Sequence, residues 1–331
     1  MWHRRACLER RGDSSAVIVG QNQPGDLVHA KLDLVTLYRP TSSQLWIQGA
    51  RPRTLPAAIA PVLVGAGAAV GVGSDGPSWW RLIFALIVSL ALQIGVNYAN
   101  DYSDGIRGTD TERVGPMRLV GSGAVPARQV KYAAFLAFLV AAIAGLVIAA
   151  TTSWWLILVG AVCIVAGWGY TGGPTPYGYL GLGEIFVFVF FGLVATVGTT
   201  FAIVQTVTLE SVIAAVAMGA LACALLVVNN LRDIPGDSRS GKRTLAVRLG
   251  DRTTRGLYVS LVVLAAVAML AASLQRPFAL AGITGLIVVL PAIRSVRRRV
   301  KGRDLIPVLE ATGKAQLITA MFLAVGLAMG G

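Results

Sequence analysis

Nine stretches of this sequence are apolar for about the length a bilayer crossing needs, and they occupy most of the chain after residue 55. They run over 55–72, 80–99, 129–150, 154–170, 184–206, 211–230, 256–274, 277–294 and 312–330. Backbone N–H and C=O groups find no water in hydrocarbon, so each spanning segment must close its own hydrogen bonds. Long runs without alternation do this only as helices, and the expected fold is all-α: a polytopic membrane protein of nine transmembrane helices. The composition agrees, since 55% of the residues are hydrophobic and only 14% charged, which excludes an ordinary soluble domain and a disordered chain. Residues 1–44 are polar and mixed in charge, and no apolar h-region follows the early arginines. They are expected to form a cytoplasmic, largely disordered arm in front of a membrane domain over 45–331.

The 29 Lys and Arg outnumber the 16 Asp and Glu. In a soluble protein such an excess would point to nucleic acid, but in a chain this apolar it belongs to cytoplasmic loops, and no nucleic-acid partner is expected. Every Lys and Arg except Arg81 and Arg276 falls on one side of the nine runs. Of the acids, only Asp75 and Glu210 fall on the other side. This predicts a multi-pass protein of the cell membrane with its N-terminus cytoplasmic, its C-terminus extracytoplasmic and its long polar loops on the cytoplasmic face. Trp79, Trp80, Trp154 and Trp155 mark the opposite interface.

Three cysteines and two histidines limit the available chemistry. Cys163 and Cys223 lie in apolar runs, and Cys7, His3 and His29 in the arm, so neither a disulfide framework nor a histidine-based metal, haem or triad site fits the membrane body. The acids instead gather in two clusters. In N-Y-A-N-D-Y-S-D-G-I-R-G-T-D, Asn97, Asn100, Asp101 and Asp104 recur at three- and four-residue spacing, which places them on one helix face if the helix continues to Asp104; Asp110 follows a Gly-containing turn. In N-N-L-R-D-I-P-G-D, Asp233 and Asp237 are four apart, and Pro235 is expected to distort the helix between them. Carboxylates at that spacing repel each other unless cations compensate. Two acidic clusters on one membrane side can each hold Mg2+, which takes oxygen ligands, keeps several waters and shares substrate phosphates. With Arg118, Lys242 and Arg243 near them in sequence, they make a diphosphate clamp, in which metal improves the leaving group. The S-x-G-K-R-T segment is no phosphate-binding P-loop, and the Gly-rich V-L-V-G-A-G-A-A-V-G-V-G run suits close helix packing. The R-S-V-R-R-R-V-K-G-R run suits topology or lipid headgroups.

At these residues the sequence resembles the UbiA superfamily of membrane prenyltransferases, through Asn100-Asp101-x-x-Asp104 and Asp233-x-x-x-Asp237. Many members carry a further Asp four residues after the position of Asp104; here that place is Gly108 and the acid comes at Asp110. This spacing, with A-R-P-R-T-L-P-A, G-P-M-R-L-V-G-S-G, Y-T-G-G-P-T-P-Y-G-Y-L-G-L-G-E and F-F-G-L-V-A-T-V-G-T, resembles the 1,4-dihydroxy-2-naphthoate polyprenyltransferase branch, over about residues 46–331. The resemblance implies nine helices around a central cavity with cytoplasmic cap loops. It implies a polyprenyl diphosphate donor, 1,4-dihydroxy-2-naphthoate as acceptor, Mg2+ at Asp101, Asp104, Asp110, Asp233 and Asp237, and demethylmenaquinone as product. Such a reaction needs an apolar tunnel with a polar cytoplasmic mouth and walls that stabilise a carbocation. Tyr98, Trp168, Tyr170 and Phe191 are candidate linings, and Arg51 and Arg53 are candidate partners for the acceptor carboxylate or the diphosphate. Another aromatic acceptor, such as 4-hydroxybenzoate, is the nearest alternative. A secondary transporter would place its carboxylates within the helices rather than at their ends, and a CDP-alcohol phosphotransferase would need a single compact Asp run that is not present in the sequence.

Overall fold

The computed structural model describes residues 41–73, 76–108 and 117–331; the arm over 1–40 and Asp110 lie outside the described residues. Helices account for the secondary structure and no strand occurs among the described residues. They are α1 (Ser42–Ala50), α2 (Pro56–Ala69), α3 (Trp80–Ile106), α4 (Ala127–Thr151) and α5 (Leu156–Gly169). There follow α6 (Gly183–Val204), α7 (Leu209–Arg239), α8 (Leu245–Ser273), α9 (Pro277–Arg297) and α10 (Gly302–Met329). Seven of them, α3, α4 and α6 to α10, are long and apolar enough to cross a membrane. The expected runs at 55–72 and 154–170 became α2 and α5, of 14 residues each, or about 21 Å of rise, less than a straight crossing of the hydrocarbon core. Gly71, at φ 73°, follows the end of α2, and α5 stops before the Gly- and Pro-rich segment at 172–176.

Two helices outrun their apolar stretches. α3 continues through Asn97, Asn100, Asp101 and Asp104 to Ile106, and α7 continues through the second motif to Arg239, running through Pro235 as one helix. Residues 97–104 and 233–237 are therefore helical. Neighbours in sequence pack as pairs, α3 on α4, α7 on α8 and α9 on α10, while α2 lies against α6, α7 and α10. The Gly-rich run serves that contact. A side chain at Gly65 would strike the Thr196 carbonyl of α6, and one at Gly67 would strike Ala324 of α10, so backbone approach there requires glycine.

Arg81 and Arg276, the two basic residues out of place by charge, have structural employment. Arg81 donates from Nη1 to the Ala202 carbonyl (3.2 Å) and from Nη2 to that of Thr151 (2.6 Å). Arg276 Nη1 donates to the carbonyls of Val70 (3.1 Å) and Leu327 (3.0 Å), and its Nε lies 3.8 Å from Glu210. All four carbonyls belong to the last turns or the ends of α2, α4, α6 and α10, where the helix ladder leaves acceptors over and the dipole is negative. Each guanidinium thus ties two helix ends together. Arg276→Ala should lower the thermal midpoint in detergent by several degrees, on the scale of about 1.5–3 kcal/mol for a hydrogen bond to a charged group. An unchanged melting curve would remove the clamp.

Candidate active site

Where α3 and α7 carry their acidic motifs, a cavity of about 530 Å³ opens, walled by Asn100, Asp104, Arg118, Asp233, Asp237 and Lys242 among others. Asp104 is buried at its centre of charge. Its Oδ1 accepts from the Tyr179 hydroxyl (2.6 Å) and from Lys242 Nζ (2.7 Å), and Arg118 lies 3.7 Å from Oδ2. Asp233 is gripped by its neighbour: Arg232 donates from Nε to Oδ1 and from Nη2 to Oδ2, each at 2.7 Å. Arg232 also donates to Asn229 Oδ1 at 2.9 Å. Arg51 and Arg239 also line the wall, donating to the backbone carbonyls of Asn97 (3.3 Å) and Pro235 (3.2 Å).

The rest of the first motif turns elsewhere. Asn100 stays on the wall, accepting from the Thr171 hydroxyl (2.6 Å). Asp101 is buried and takes the backbone N–H groups of Leu119 (2.9 Å) and Val120 (3.0 Å), so it fastens the segment that carries Arg118. Asn97 donates to the Ala50 carbonyl (2.9 Å) and the Thr54 hydroxyl (3.0 Å), securing the turn before α2. Arg53 is exposed and pairs with Glu310 at 2.9 Å. The backbone of Arg243 joins Tyr179, its N–H donating to the Tyr179 carbonyl (3.0 Å). Tyr98 donates to the Trp46 carbonyl (2.8 Å), and Trp168 stacks on Phe135. None of Asn97, Tyr98, Asp101, Trp168, Arg53 and Arg243 belongs to the described cavity wall.

A second cavity, of about 480 Å³, lies between α3, α4, α5 and α6, with almost wholly apolar walls that include Leu92, Phe186, Phe190 and Phe191. The wall on α6 coincides with a π-helical stretch, Phe188–Val194, of the kind that often marks functional positions. Tyr170 lines both cavities. Burial, followed by the charge of Glu184, holds its phenol above the ordinary tyrosine range, so the side chain at the junction stays neutral. Burial and Asp104 do the same for Tyr179. Arg232, Arg239, Tyr179 and Thr171 are wall or contact residues that the sequence motifs did not single out. Tyr179 and Thr171 lie in the Y-T-G-G-P-T-P-Y-G-Y-L-G-L-G-E segment.

Mg2+ fits this donor set. The wall offers oxygen ligands, from carboxylates and Asn amides, which is the donor chemistry Mg2+ takes. No three Asp, Glu, His or Cys side chains converge among the described residues. A metal held by fewer carboxylates would complete its shell with waters and phosphate oxygens.

A chamber lined by cations and acids and an apolar chamber that shares Tyr170 with it, inside a bundle of membrane helices, suit an amphiphile with an anionic head and a hydrocarbon tail. The sequence matches the model of the UbiA prenyltransferase family over residues 58–328, and the chain belongs to that family. It is 52% identical over 285 residues to the 1,4-dihydroxy-2-naphthoate octaprenyltransferase of Mycobacterium tuberculosis, covering 86% of this chain and 97% of the relative. With the enzyme of that name from Escherichia coli it shares 33% identity over 305 residues, covering 86% and 95%. Among solved structures, a UbiA homolog from Archaeoglobus fulgidus bound to GPP and Mg2+ shares the fold, with a TM-score of 0.62 at 17% identity over 86% of this chain and 99% of that one.

Proposed function

We propose that this chain transfers a long polyprenyl group from polyprenyl diphosphate to 1,4-dihydroxy-2-naphthoate with loss of CO2, giving the reduced, quinol form of demethylmenaquinone. The observation that carries this reading is the meeting of a polar and an apolar cavity at Tyr170, in a chain 52% identical to an octaprenyltransferase for that acceptor.

The diphosphate sits among Arg118, Lys242, Arg232 and Arg239, and the polyprenyl tail runs past Phe186, Phe190 and Phe191. The carbon that bonds to the diphosphate then lies beside Tyr170. Asp104, Asp233 and Asp237 would hold Mg2+, with Asn100 as a neutral oxygen donor; when bound, the metal neutralises the diphosphate and improves it as a leaving group. Asp101 contributes by keeping Arg118 in place. Departure of diphosphate leaves an allylic cation. The apolar walls keep water from it, and the neutral Tyr170 ring offers its π-face. The carboxyl-bearing ring carbon attacks, a carbon–carbon bond forms, and loss of CO2 restores aromaticity without a strong base. Arg51, on the wall, suits the acceptor carboxylate better than Arg53, which is engaged by Glu310.

The basic cavity end faces the cytoplasm in this reading, with the N-terminus inside and the C-terminus outside the cell membrane. The catalytic domain in this reading is residues 45–331. Membranes carrying the chain, given a long prenyl diphosphate and Mg2+, should convert 1,4-dihydroxy-2-naphthoate but not 4-hydroxybenzoate, and EDTA should stop the reaction. Product from the benzoate alone would overturn the acceptor; product that survives EDTA would overturn the metal.

A further inference from the structure

Glu184 is a buried carboxylate that the mechanism above does not use. It opens α6, it is 8% exposed, and its backbone carbonyl accepts from the Cys223 thiol at 3.0 Å. Its Oε1 accepts from Asn230 Nδ2 at 3.0 Å, and its Oε2 is buried with no hydrogen-bond partner among the described residues. A buried carboxyl group with so few donors, its own backbone N–H and the Asn230 amide, holds on to that amide, because an unpaired buried oxygen is costly.

The consequence falls on Asn230, which lines the polar cavity. A primary amide has one donor end and one acceptor end. With Nδ2 turned back to Glu184, Oδ1 is the end available to the cavity. The neighbouring amide is held in the opposite sense: Asn229 Oδ1 accepts from Arg232 at 2.9 Å, which leaves its NH2 group outward. A diphosphate carries acceptors and no donors, so an outward NH2 suits it and an outward carbonyl oxygen does not. The reactant that brings O–H donors is the aromatic acceptor. Glu184 itself lies near the junction of the two cavities. A Cβ at Gly183, the residue before Glu184, would lie 3.5 Å from the Tyr170 hydroxyl, and Tyr170 is where the cavities meet.

We propose that Glu184 is a positioning residue that locks the Asn230 amide with its oxygen toward the cavity, where that oxygen accepts a hydrogen bond from a phenolic hydroxyl of the aromatic acceptor. The proposal rests on the transferase reading of the cavity. The hydrogen bond orients the ring and raises its electron density at the attacking carbon, and no proton need leave the site.

Glu184→Gln tests this, because a glutamine can donate to Asn230 and let its amide reverse. Steady-state prenyl transfer with the full-length chain should show the KM for 1,4-dihydroxy-2-naphthoate raised roughly tenfold, the worth of one well-placed hydrogen bond, with the prenyl diphosphate KM within about twofold of wild type. The double variant Glu184→Gln with Asn230→Asp carries the native pair's charge. Its introduced glutamine can donate to one oxygen of the new carboxylate and leave the other facing the cavity, so its acceptor KM should return toward wild type. An acceptor KM unchanged in Glu184→Gln, equal rises for both substrates, a raised Mg2+ requirement alone, or no recovery in the double variant would each overturn the proposal. If Glu184→Gln does not accumulate in membranes, the double variant decides: a near-native acceptor KM supports the proposal and a raised one overturns it. A wild-type chain that makes no product from the naphthoate overturns the transferase reading, and the proposal with it.

Discussion

Asp104→Asn is expected to lower prenyl transfer by at least about a hundredfold while the chain still reaches the membrane at its normal level, as judged by activity in membranes matched for protein content. Asp104 has the most concentrated electrostatics in the cavity. One of its oxygens receives both Tyr179 and Lys242, at 2.6 and 2.7 Å, and the other faces Arg118 at 3.7 Å. Asparagine keeps an oxygen for Tyr179 and Lys242 but removes the charge that a cation-bound diphosphate needs opposite it. Alanine would confuse the result, because it leaves Lys242 and Arg118 as uncompensated buried cations, and breaking such a pair costs roughly 3–5 kcal/mol in stability. Near-normal turnover by Asp104→Asn would remove Asp104 from the clamp. Lys242→Met gives the complementary measurement: it frees Asp104 of a cation and should weaken donor binding more than it slows turnover.

The helical runs were legible because hydrocarbon enforces them, and so was the helix face that carries the first motif. Less legible was where the cavity edge crosses that face. At 100° per residue, Asn100, Asp104, Asn97 and Asp101 follow one another across an arc of about 100°. The wall takes Asn100 and Asp104, while Asn97 and Asp101 turn toward the segments around 50–54 and 119–120. Spacing alone cannot place that edge, because it depends on which loops pack against α3. Arg232 was hidden for another reason. Adjacent helical residues normally diverge, yet the long Arg232 side chain folds back onto Asp233. Lys242 and Tyr179 reach Asp104 across 138 and 75 residues of sequence, contacts that only the fold creates. The motif residues Asp233 and Asp237 needed less: α7 continues to Arg239, and a spacing of four holds both on the cavity wall.

That spacing sets up the second large effect. Two carboxylates four apart on a helix destabilise each other, and Arg232 offsets only part of that by its bidentate hold on Asp233. In the proposed reading a divalent cation supplies the rest, so removing a carboxylate should appear as a changed metal requirement and not only as a slower enzyme. Asp233→Asn is expected to raise the Mg2+ concentration for half-maximal activity at least about tenfold, with turnover partly recovered at high Mg2+. Asp101→Asn provides the contrast. Its carboxylate holds the backbone of Leu119 and Val120 beside Arg118, so its loss should raise the prenyl diphosphate KM and leave the Mg2+ dependence where it was. Titrating Mg2+ against activity for the two variants separates the roles, although both residues belong to acidic motifs of the same appearance. Equal Mg2+ curves for Asp233→Asn and wild type would take Asp233 out of metal binding. A shifted curve for Asp101→Asn would bring Asp101 into it, and would mean that the 117–120 segment withdraws when substrate enters.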